Sequence, residues 1–239
     1  MSEKASINLL SISKLFGNRP VLENISFNLD AGQALCVCGP NAAGKTTLVR
    51  IAATVARPDA GSVEICGLDV RKEPEKVKRL LGFISHKPMV YPQLTVVENL
   101  RFFARIYGLK AADGRIDEVL EQGGLGAYRD QPAGILSAGI TQRLAICRAI
   151  LHRPKVLLAD EPFAGLDQDA AGQLTGLIRD FAKAGGVVVL TSHNVRFSLG
   201  CCDRAAVLDD KAIVFNEPVS QIDVESFAHD YLCYVRRRL

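Results

Sequence analysis

Gly39-Pro40-Asn41-Ala42-Ala43-Gly44-Lys45-Thr46 follows the apolar run 34–38 and leads through Thr47 into Leu48-Val49-Arg50-Ile51. This order predicts a strand, a tight loop and a helix, so that backbone N–H groups and the positive end of the helix dipole converge on phosphates. In such a loop Lys45 reaches the β- and γ-phosphates of a nucleotide, and the Thr46 hydroxyl ligates Mg²⁺. We therefore take Gly39 to Thr47, called the phosphate loop below, as the candidate binding site.

Composition limits the class of protein and its partners. The 239 residues are 48% hydrophobic and 23% charged, which is typical of a folded soluble protein. The net charge of +3 is small, and Lys and Arg are interleaved with Asp and Glu, so nucleic acid is not an expected partner. No apolar run approaches the ~20 residues that cross a bilayer, and the N-terminus lacks a signal-peptide core. We therefore expect a cytoplasmic location.

The hydrophobic pattern predicts an α/β chain with a helical insertion. Residues 1–38 alternate as strands do, with Phe16 in a loop at 14–18, and a helix is expected from Lys45 to Ala56. From 95 to 152 the pattern is helical, its last helix running from Ile140 to His152, and beyond Pro154 strands and helices alternate as parallel βαβ units do. We expect one domain, 1–239, with a core of 1–85 and 154–239 and an inserted helical subdomain at about 95–152.

Two carboxylates follow the apolar run Val156 to Ala159. Asp160 and Glu161 stand where this strand ends, and ligands of open parallel sheets bind at that edge. Paired with a phosphate loop upstream, Asp160 suits a Mg²⁺ site and Glu161 suits polarisation of the attacking water.

A second anion-binding device is the signature segment, Leu136-Ser137-Ala138-Gly139, which precedes the predicted helix at Ile140. With the motifs above, it resembles the ABC-transporter ATPase family, whose signature reads Leu-Ser-Gly-Gly-Gln at this place. The resemblance covers essentially the whole chain, and five motifs occur in the family's order. It implies a P-loop NTPase fold with a RecA-like core, an antiparallel β subdomain and the helical subdomain.

The resemblance also implies a role for each matching residue. Phe16 is similar to the aromatic that stacks on adenine, 39–46 to the Walker A loop, 160–161 to the Walker B pair, Asp167 to the D-loop aspartate and His193 to the switch histidine. The implied catalytic residues are Glu161, His193 and His86, and the implied Mg²⁺ residues are Thr46, Asp160 and His86. The implied ATP-binding residues are Phe16, Gly39, Pro40, Asn41, Ala42, Ala43, Gly44, Lys45, Thr46, Thr47, Ser137, Ala138, Gly139 and Asp167.

Departures from the family pattern point to one subfamily. His86 stands where most relatives have the Q-loop glutamine, and Ala138 and Ile140 replace Gly and Gln of the signature. His86 together with Leu-Ser-Ala-Gly resembles the ATP-binding subunit of the cytochrome c maturation system, the haem exporter, although Ile140 departs from that subfamily too. This resemblance implies membrane partners that release a haem-loaded chaperone on the far side of the bacterial inner membrane.

The partners implied are a second ATPase chain and integral membrane subunits. A head-to-tail homodimer, or a pair with a related ATPase subunit, lets the signature segment of one chain face the phosphate loop of the other. The expected location is peripheral, on the cytoplasmic face of the inner membrane. Two alternatives stay open: an exporter of the drug or lipid type, and a soluble ABC ATPase of iron–sulfur assembly. A P-loop kinase or a plain nucleotide-binding module would have no signature segment such as Ser137 to Gly139, which argues against both classes.

Overall fold

Two sheets organise the part of the chain described by the structure, a computed structural model covering residues 4–85, 87–193, 195–224, 226–227 and 231. The six-stranded sheet has the order β10-β9-β3-β8-β7-β6 and is parallel except for β10. Its strands are β3 (Ala34–Cys38), β6 (Leu81–Ile84), β7 (Val156–Asp160), β8 (Val187–Thr191), β9 (Arg204–Asp209) and β10 (Ala212–Pro218). The antiparallel sheet, in the order β2-β1-β4-β5, has β1 (Ser6–Phe16), β2 (Arg19–Asp30), β4 (Ala60–Ile65) and β5 (Leu68–Asp69).

Seven α-helices connect or cover these strands in the described residues. They are α1 (Lys45–Ala52), α2 (Pro74–Leu80), α3 (Val96–Ile106), α4 (Asp113–Gln122), α5 (Ala138–Ile150), α6 (Gln168–Lys183) and α7 (Val195–Gly200). The start of α3 follows from its sequence, since Thr95 and Glu98 exchange hydrogen bonds as a capping box. None of the helices in the described ranges has the length and apolarity needed to span a membrane.

The strand β3 lies between two hydrophobic cores. Cys36 and Cys38 pack into the core shared with helices α3 to α6, whereas Leu35 and Val37 pack into the core shared with α1 and the antiparallel sheet. All five residues of β3 are buried, as are those of β7 and β8. Because both faces of these strands are covered, their sequences are continuous apolar runs rather than alternating ones.

The α/β class and the parallel βαβ order are confirmed, with several boundaries corrected. The helix α1 ends at Ala52 instead of Ala56, because Thr54 takes a left-handed φ of 62° and both Val55 and Ala56 donate to the Arg50 carbonyl. The helix α2 was not predicted, since Val77 is its one buried residue and the charged stretch shows no apolar period.

Two further predictions at motif positions were wrong in detail. Phe16 ends strand β1 and pairs with Arg19, so the loop predicted at 14–18 shrinks to a tight turn in which Gly17 has φ 58°. The signature helix begins at Ala138 rather than Ile140, because Ser137 caps it. The added strand β10 pairs with β9 through a hairpin at Asp210 and Lys211 that carries no glycine signal.

Candidate functional site

The phosphate loop joins β3 to α1, as its sequence predicts. Gly44 precedes the helix with φ 105°, and no side-chain hydrogen bond caps α1 in the described structure. The first N–H groups of a helix have no partner within the helix. At α1 these donors, together with the helix dipole, are oriented for an anion.

Glycine is required at both ends of this loop. A Cβ atom on Gly39 would lie 2.2 Å from the Leu208 carbonyl oxygen of β9. At Gly44 a Cβ atom would lie 2.8 Å from the Leu22 side chain, in addition to the positive φ. The loop therefore packs directly on the neighbouring backbone, and this packing fixes its position.

Lys45 is buried beneath the loop, and its ammonium is held by the loop itself. Its Nζ atom donates to the Gly39 carbonyl at 2.7 Å and to the Pro40 carbonyl at 3.1 Å. It also lies 3.7 Å from Oε1 of Glu161. A cation is thus placed at the centre of the loop before any phosphate binds, and its main-chain contacts limit its rotamer freedom.

The hydroxyl of Thr46 meets the carboxylate at the end of β7. Its Oγ1 atom donates to Oδ1 of Asp160 at 3.0 Å, and Thr191 of β8 donates to the same oxygen at 2.9 Å. Asp160 is 2% exposed, so its charge is compensated by these donors rather than by water. Thr46 and Asp160 supply the hard oxygen ligands that Mg²⁺ prefers, which fits a magnesium site here.

Glu161 is held between Lys45 and His193. Its Oε2 atom lies 2.8 Å from His193 Nδ1 and accepts from the His193 N–H at 3.1 Å. Its own N–H donates to Thr191, at 3.2 Å to the carbonyl and 3.1 Å to the hydroxyl, and its φ is 53°. A non-glycine residue in this conformation is held by its surroundings, which here aim the carboxylate at the loop.

Ala42 takes a left-handed conformation that ordinarily favours glycine. Its φ is 64°, and the residue is exposed to solvent. The sequence departs from the family's usual glycine at this position, and the structure shows that alanine reaches the geometry nonetheless. Left-handed backbone costs a non-glycine residue about 1–2 kcal/mol.

We expect Ala42→Gly to raise the free energy of unfolding by about 0.5–1 kcal/mol, since the relieved strain exceeds the added chain entropy. Nucleotide affinity should change less than about twofold, because the strain is present with and without ligand. Thermal unfolding and nucleotide titration check both. Ala43→Gly is the matched control: Ala43 has no positive φ and packs against the core, so its replacement should destabilise. Equal effects of the two changes would contradict this account.

The cavity beside the phosphate loop has a volume of about 810 Å³. It is lined by the loop from Gly39 to Ala43, by His193, by the β9–β10 hairpin and by Arg19, Pro20, Val21 and Tyr231. Phe16 lies outside this lining, 58% exposed, with Lys14 Nζ 5.5 Å from its ring centroid. Phe16 pairs across the β1–β2 turn with Arg19, which does line the cavity, and its exposed ring is open to a stacking partner.

The signature segment lies away from this cavity. Ser137 is exposed and caps α5, accepting from the Ile140 N–H at 3.4 Å, and Gly139 packs so closely on Ala170 that a Cβ atom would lie 2.7 Å from it. Ala138 is exposed beside them. Asp167 is also exposed and caps α6 through the Ala170 N–H at 2.8 Å. One chain therefore does not bring these residues to its own phosphate loop.

Some site residues fall outside the prediction or outside the described ranges. His86, predicted as a catalytic and Mg²⁺ residue, lies outside the described residues. Thr191 and Tyr231 were not predicted: Thr191 ends β8 beside Asp160 in the sheet register, a signal that strand pairing supplies, whereas Tyr231 carries no motif.

This chain is similar in sequence to known proteins. A profile described as "ABC transporter" matches residues 22–164. YdbJ of Bacillus subtilis (strain 168), an uncharacterized ABC transporter ATP-binding protein, is 37% identical over 203 residues, covering 84% of this chain and 66% of YdbJ. The Nod factor export ATP-binding protein I of Burkholderia thailandensis is 32% identical over 224 residues, covering 92% of this chain and 74% of that protein.

A solved structure extends the likeness to the fold. The ATP-binding cassette MJ0796, in a dimeric post-hydrolysis state with ADP and Pi, superposes with a TM-score of 0.80 and 25% identity. The match covers 89% of this chain and 98% of that one. The predicted fold class, an α/β ATP-binding cassette with an antiparallel β subdomain, is confirmed, and the structure adds that the six-stranded sheet of the core is mixed.

Proposed function

Because this chain belongs to the ABC transporter family as an ATP-binding, ATPase subunit, we propose that it hydrolyses ATP at sites shared between two chains and thereby drives membrane subunits of an exporter. One observation carries the proposal. Lys45, Thr46, Asp160, Glu161 and His193 form one set of hydrogen bonds and ion pairs around the phosphate loop, joined through Thr191, whereas Ser137 lies exposed outside it.

The phosphate loop and Lys45 bind the β- and γ-phosphates. The N–H groups that open α1 donate to phosphate oxygens, and the Lys45 ammonium adds charge-assisted bonds without first being ordered. Thr46 and Asp160 are the residues that would hold Mg²⁺, which would supply compensation for the negative charge that develops on the phosphate in the transition state. Phe16 provides the exposed ring on which adenine stacks.

Glu161 acts as the general base, and His193 positions it. The carboxylate orients and deprotonates the attacking water, and the His193 side chain fixes the rotamer from which it does so. When phosphate binds, its negative charge competes with Glu161 for the Lys45 ammonium, so the Glu161 carboxylate, 3.7 Å away, loses that partner. The freed oxygen Oε1 is then the acceptor for the water.

A second chain completes the site. Ser137 and the N-terminal end of α5 face outward, and a head-to-tail partner places them opposite the phosphate loop. The dimeric state of the related cassette MJ0796 with ADP and Pi supports the association of two chains. Asp167 is exposed and caps α6, whose Ala170 packs on Gly139 at the start of α5, so we assign Asp167 to the same interface.

Membrane subunits dock on an exposed apolar surface, called the apolar patch below, which consists of Met89, Tyr91, Phe102 and Ile106. All four side chains are exposed, Ile106 by 61%, and the rings of Tyr91 and Phe102 meet edge to face at 4.7 Å. Such a cluster of large apolar side chains marks an interaction surface. It joins the segment after β6, which leads from the nucleotide edge of the sheet, to α3, so it suits transmission of movement from ATP to a partner.

Ile106→Asp tests this surface. The variant and the unchanged chain are tagged and expressed in the source cells. We expect the amount of multispanning membrane protein that copurifies with the variant to be at least about tenfold lower, since a buried unpaired charge disfavours docking. The ATPase rate of the isolated chain should stay unchanged. Val214→Asp on β10 is the matched control, because Val214 is 59% exposed and distant in the chain from the apolar patch. Equal recovery with both variants would contradict the assignment.

Haem, exported during cytochrome c maturation, is our first candidate for the transported substrate. It is supported by His86 and by Ala138 in the signature segment. An exporter of another class is the alternative, supported by the likeness to a Nod factor export protein. Loss of c-type cytochromes on deletion of the gene would favour haem export, and normal cytochromes would favour the alternative.

The remaining assignments concern location and domain division. We place the chain peripherally on the cytoplasmic face of the inner membrane, where ATP and the membrane subunits are both accessible. We also assign 1–239 to one domain with a core of 1–85 and 154–239 and a helical subdomain at about 95–152. The mutual packing of α3, α4 and α5 supports the subdomain.

A further inference from the structure

Tyr231, near the end of the sequence, is built into the phosphate loop. Its side chain is buried, and its hydroxyl donates to the Gly39 carbonyl at 2.7 Å. The same hydroxyl accepts from the Gly39 N–H at 3.1 Å. One phenol thus contacts both polar groups of the residue that opens the loop, and it lines the cavity in which we place the nucleotide.

The Gly39 carbonyl links Tyr231 to the phosphate-binding lysine. This oxygen accepts from Tyr231 and from Lys45 Nζ, each at 2.7 Å. On its other side Gly39 approaches the Leu208 carbonyl so closely that no Cβ atom fits between them. The Gly39 peptide is therefore fixed between β9 and the phenol, and the position of the Lys45 ammonium depends on where this carbonyl points.

A stack of aromatic rings holds the phenol in place. Phe215 of β10 lies 5.3 Å from Phe227, and Phe227 lies 6.5 Å from Tyr231 with the two ring planes 14° apart. Burial raises the pKa of the Tyr231 phenol above its usual range, so the hydroxyl keeps its proton and remains a donor to Gly39. The contact therefore persists at the pH values used for ATPase assays.

We propose that Tyr231 is a positioning residue for nucleotide binding: its hydroxyl fixes the Gly39 peptide, and through the shared carbonyl it holds Lys45 where the phosphates of ATP bind. The inference rests on the proposed ATP site. Without the hydroxyl, the Gly39 N–H loses a buried acceptor and the Gly39 carbonyl loses a donor. The Gly39 peptide is then held less firmly in its orientation. Phosphate binding must then order the loop and the lysine.

Tyr231→Phe removes the hydroxyl alone. We expect about tenfold weaker binding of Mg·ATP, measured with a fluorescent ATP analogue, since one or two buried hydrogen bonds are lost. Inorganic pyrophosphate, as a competitor, should weaken by the same factor, and adenosine should not. KM should rise with affinity while kcat changes less than about twofold, because Glu161 and its water are untouched.

Two further variants separate positioning from folding. Tyr107→Phe is the matched control: Tyr107 stacks on His152 at 4.0 Å in the helical part of the chain and is not a cavity residue, so affinity should stay unchanged. Phe227→Leu keeps the hydroxyl but loosens the ring stack, and we expect about threefold weaker pyrophosphate binding. This variant keeps the test informative if Tyr231→Phe does not fold.

The outcomes are distinguishable. Wild-type pyrophosphate affinity in folded Tyr231→Phe, or in Phe227→Leu when the first variant is unfolded, would overturn the positioning role. A lower unfolding temperature with unchanged nucleotide affinity would reduce Tyr231 to a structural residue and would overturn it too. If the unchanged chain itself binds no ATP, the proposed function fails instead.

Discussion

Glu161→Gln is expected to lower ATP turnover by about 10²–10³-fold, the contribution of a positioned general base. Glutamine keeps the size of the side chain but cannot take a proton from water. Thr46, Asp160 and Lys45, which we propose contact the ligand, keep their own hydrogen bonds in this variant, so affinity for ATP should change less than about threefold. Steady-state phosphate release and nucleotide titration measure the two quantities.

The same variant should accumulate as a dimer when ATP is added. In the function proposed here, bound ATP joins two chains and hydrolysis loosens them, so we expect a chain that binds but does not hydrolyse to remain in the closed state. Light scattering after chromatography with and without Mg·ATP reports the change in mass. Glu121→Gln, on the exposed end of α4, is the control and should behave as the unchanged chain. Turnover within threefold of normal in Glu161→Gln would remove Glu161 from its assigned role.

Two variants that are inactive separately should be active together. Lys45→Ala removes the ammonium from the phosphate loop, and Ser137→Arg places a bulky cation on the exposed start of α5. We expect each to lower turnover at least about 50-fold, because each dimer then carries the defect in both sites. In a mixed dimer both defects fall in one site, and the other site is intact.

An equal mixture should therefore recover about a quarter of normal turnover, since half of the dimers are mixed and each has one of its two sites. Lys45→Ala mixed with the double variant Lys45→Ala/Ser137→Arg is the control, because no combination of these chains makes an intact site. Normal turnover of Ser137→Arg alone would show that each chain works by itself. Turnover per chain that stays constant on dilution would lead to the same conclusion.

How much the sequence predicts depends on how local the signal is. The sequence already indicates that Thr46 and Asp160, and Glu161 and His193, lie at one edge of the sheet, because each residue stands at or within two residues of the end of a buried parallel strand or opens the helix after one. The outward position of Ser137 likewise follows from its role as a helix cap. These features need no knowledge of side-chain packing.

Contacts between distant segments are different. Tyr231 and Gly39 are 192 positions apart, and their contact depends on a ring stack that reaches the loop from β10. The edge strand β10 was also not predicted, since it is only partly buried. The short helix α2 was not predicted either, since it buries one residue and so shows no apolar period. Phe16 was assigned to a loop because the pattern does not show that the β1 register continues to the turn.

The place of β3 between two cores has a consequence for how the molecule opens. Local unfolding releases segments in order of the packing that each would lose. The helices α3 and α4 pack into one core only, whereas β3 would have to leave both, with its even and odd side chains on opposite faces. The helices α3 and α4 can therefore open in fluctuations smaller than global unfolding. We expect the amide hydrogens of β3, the strand that leads into the phosphate loop, to exchange last.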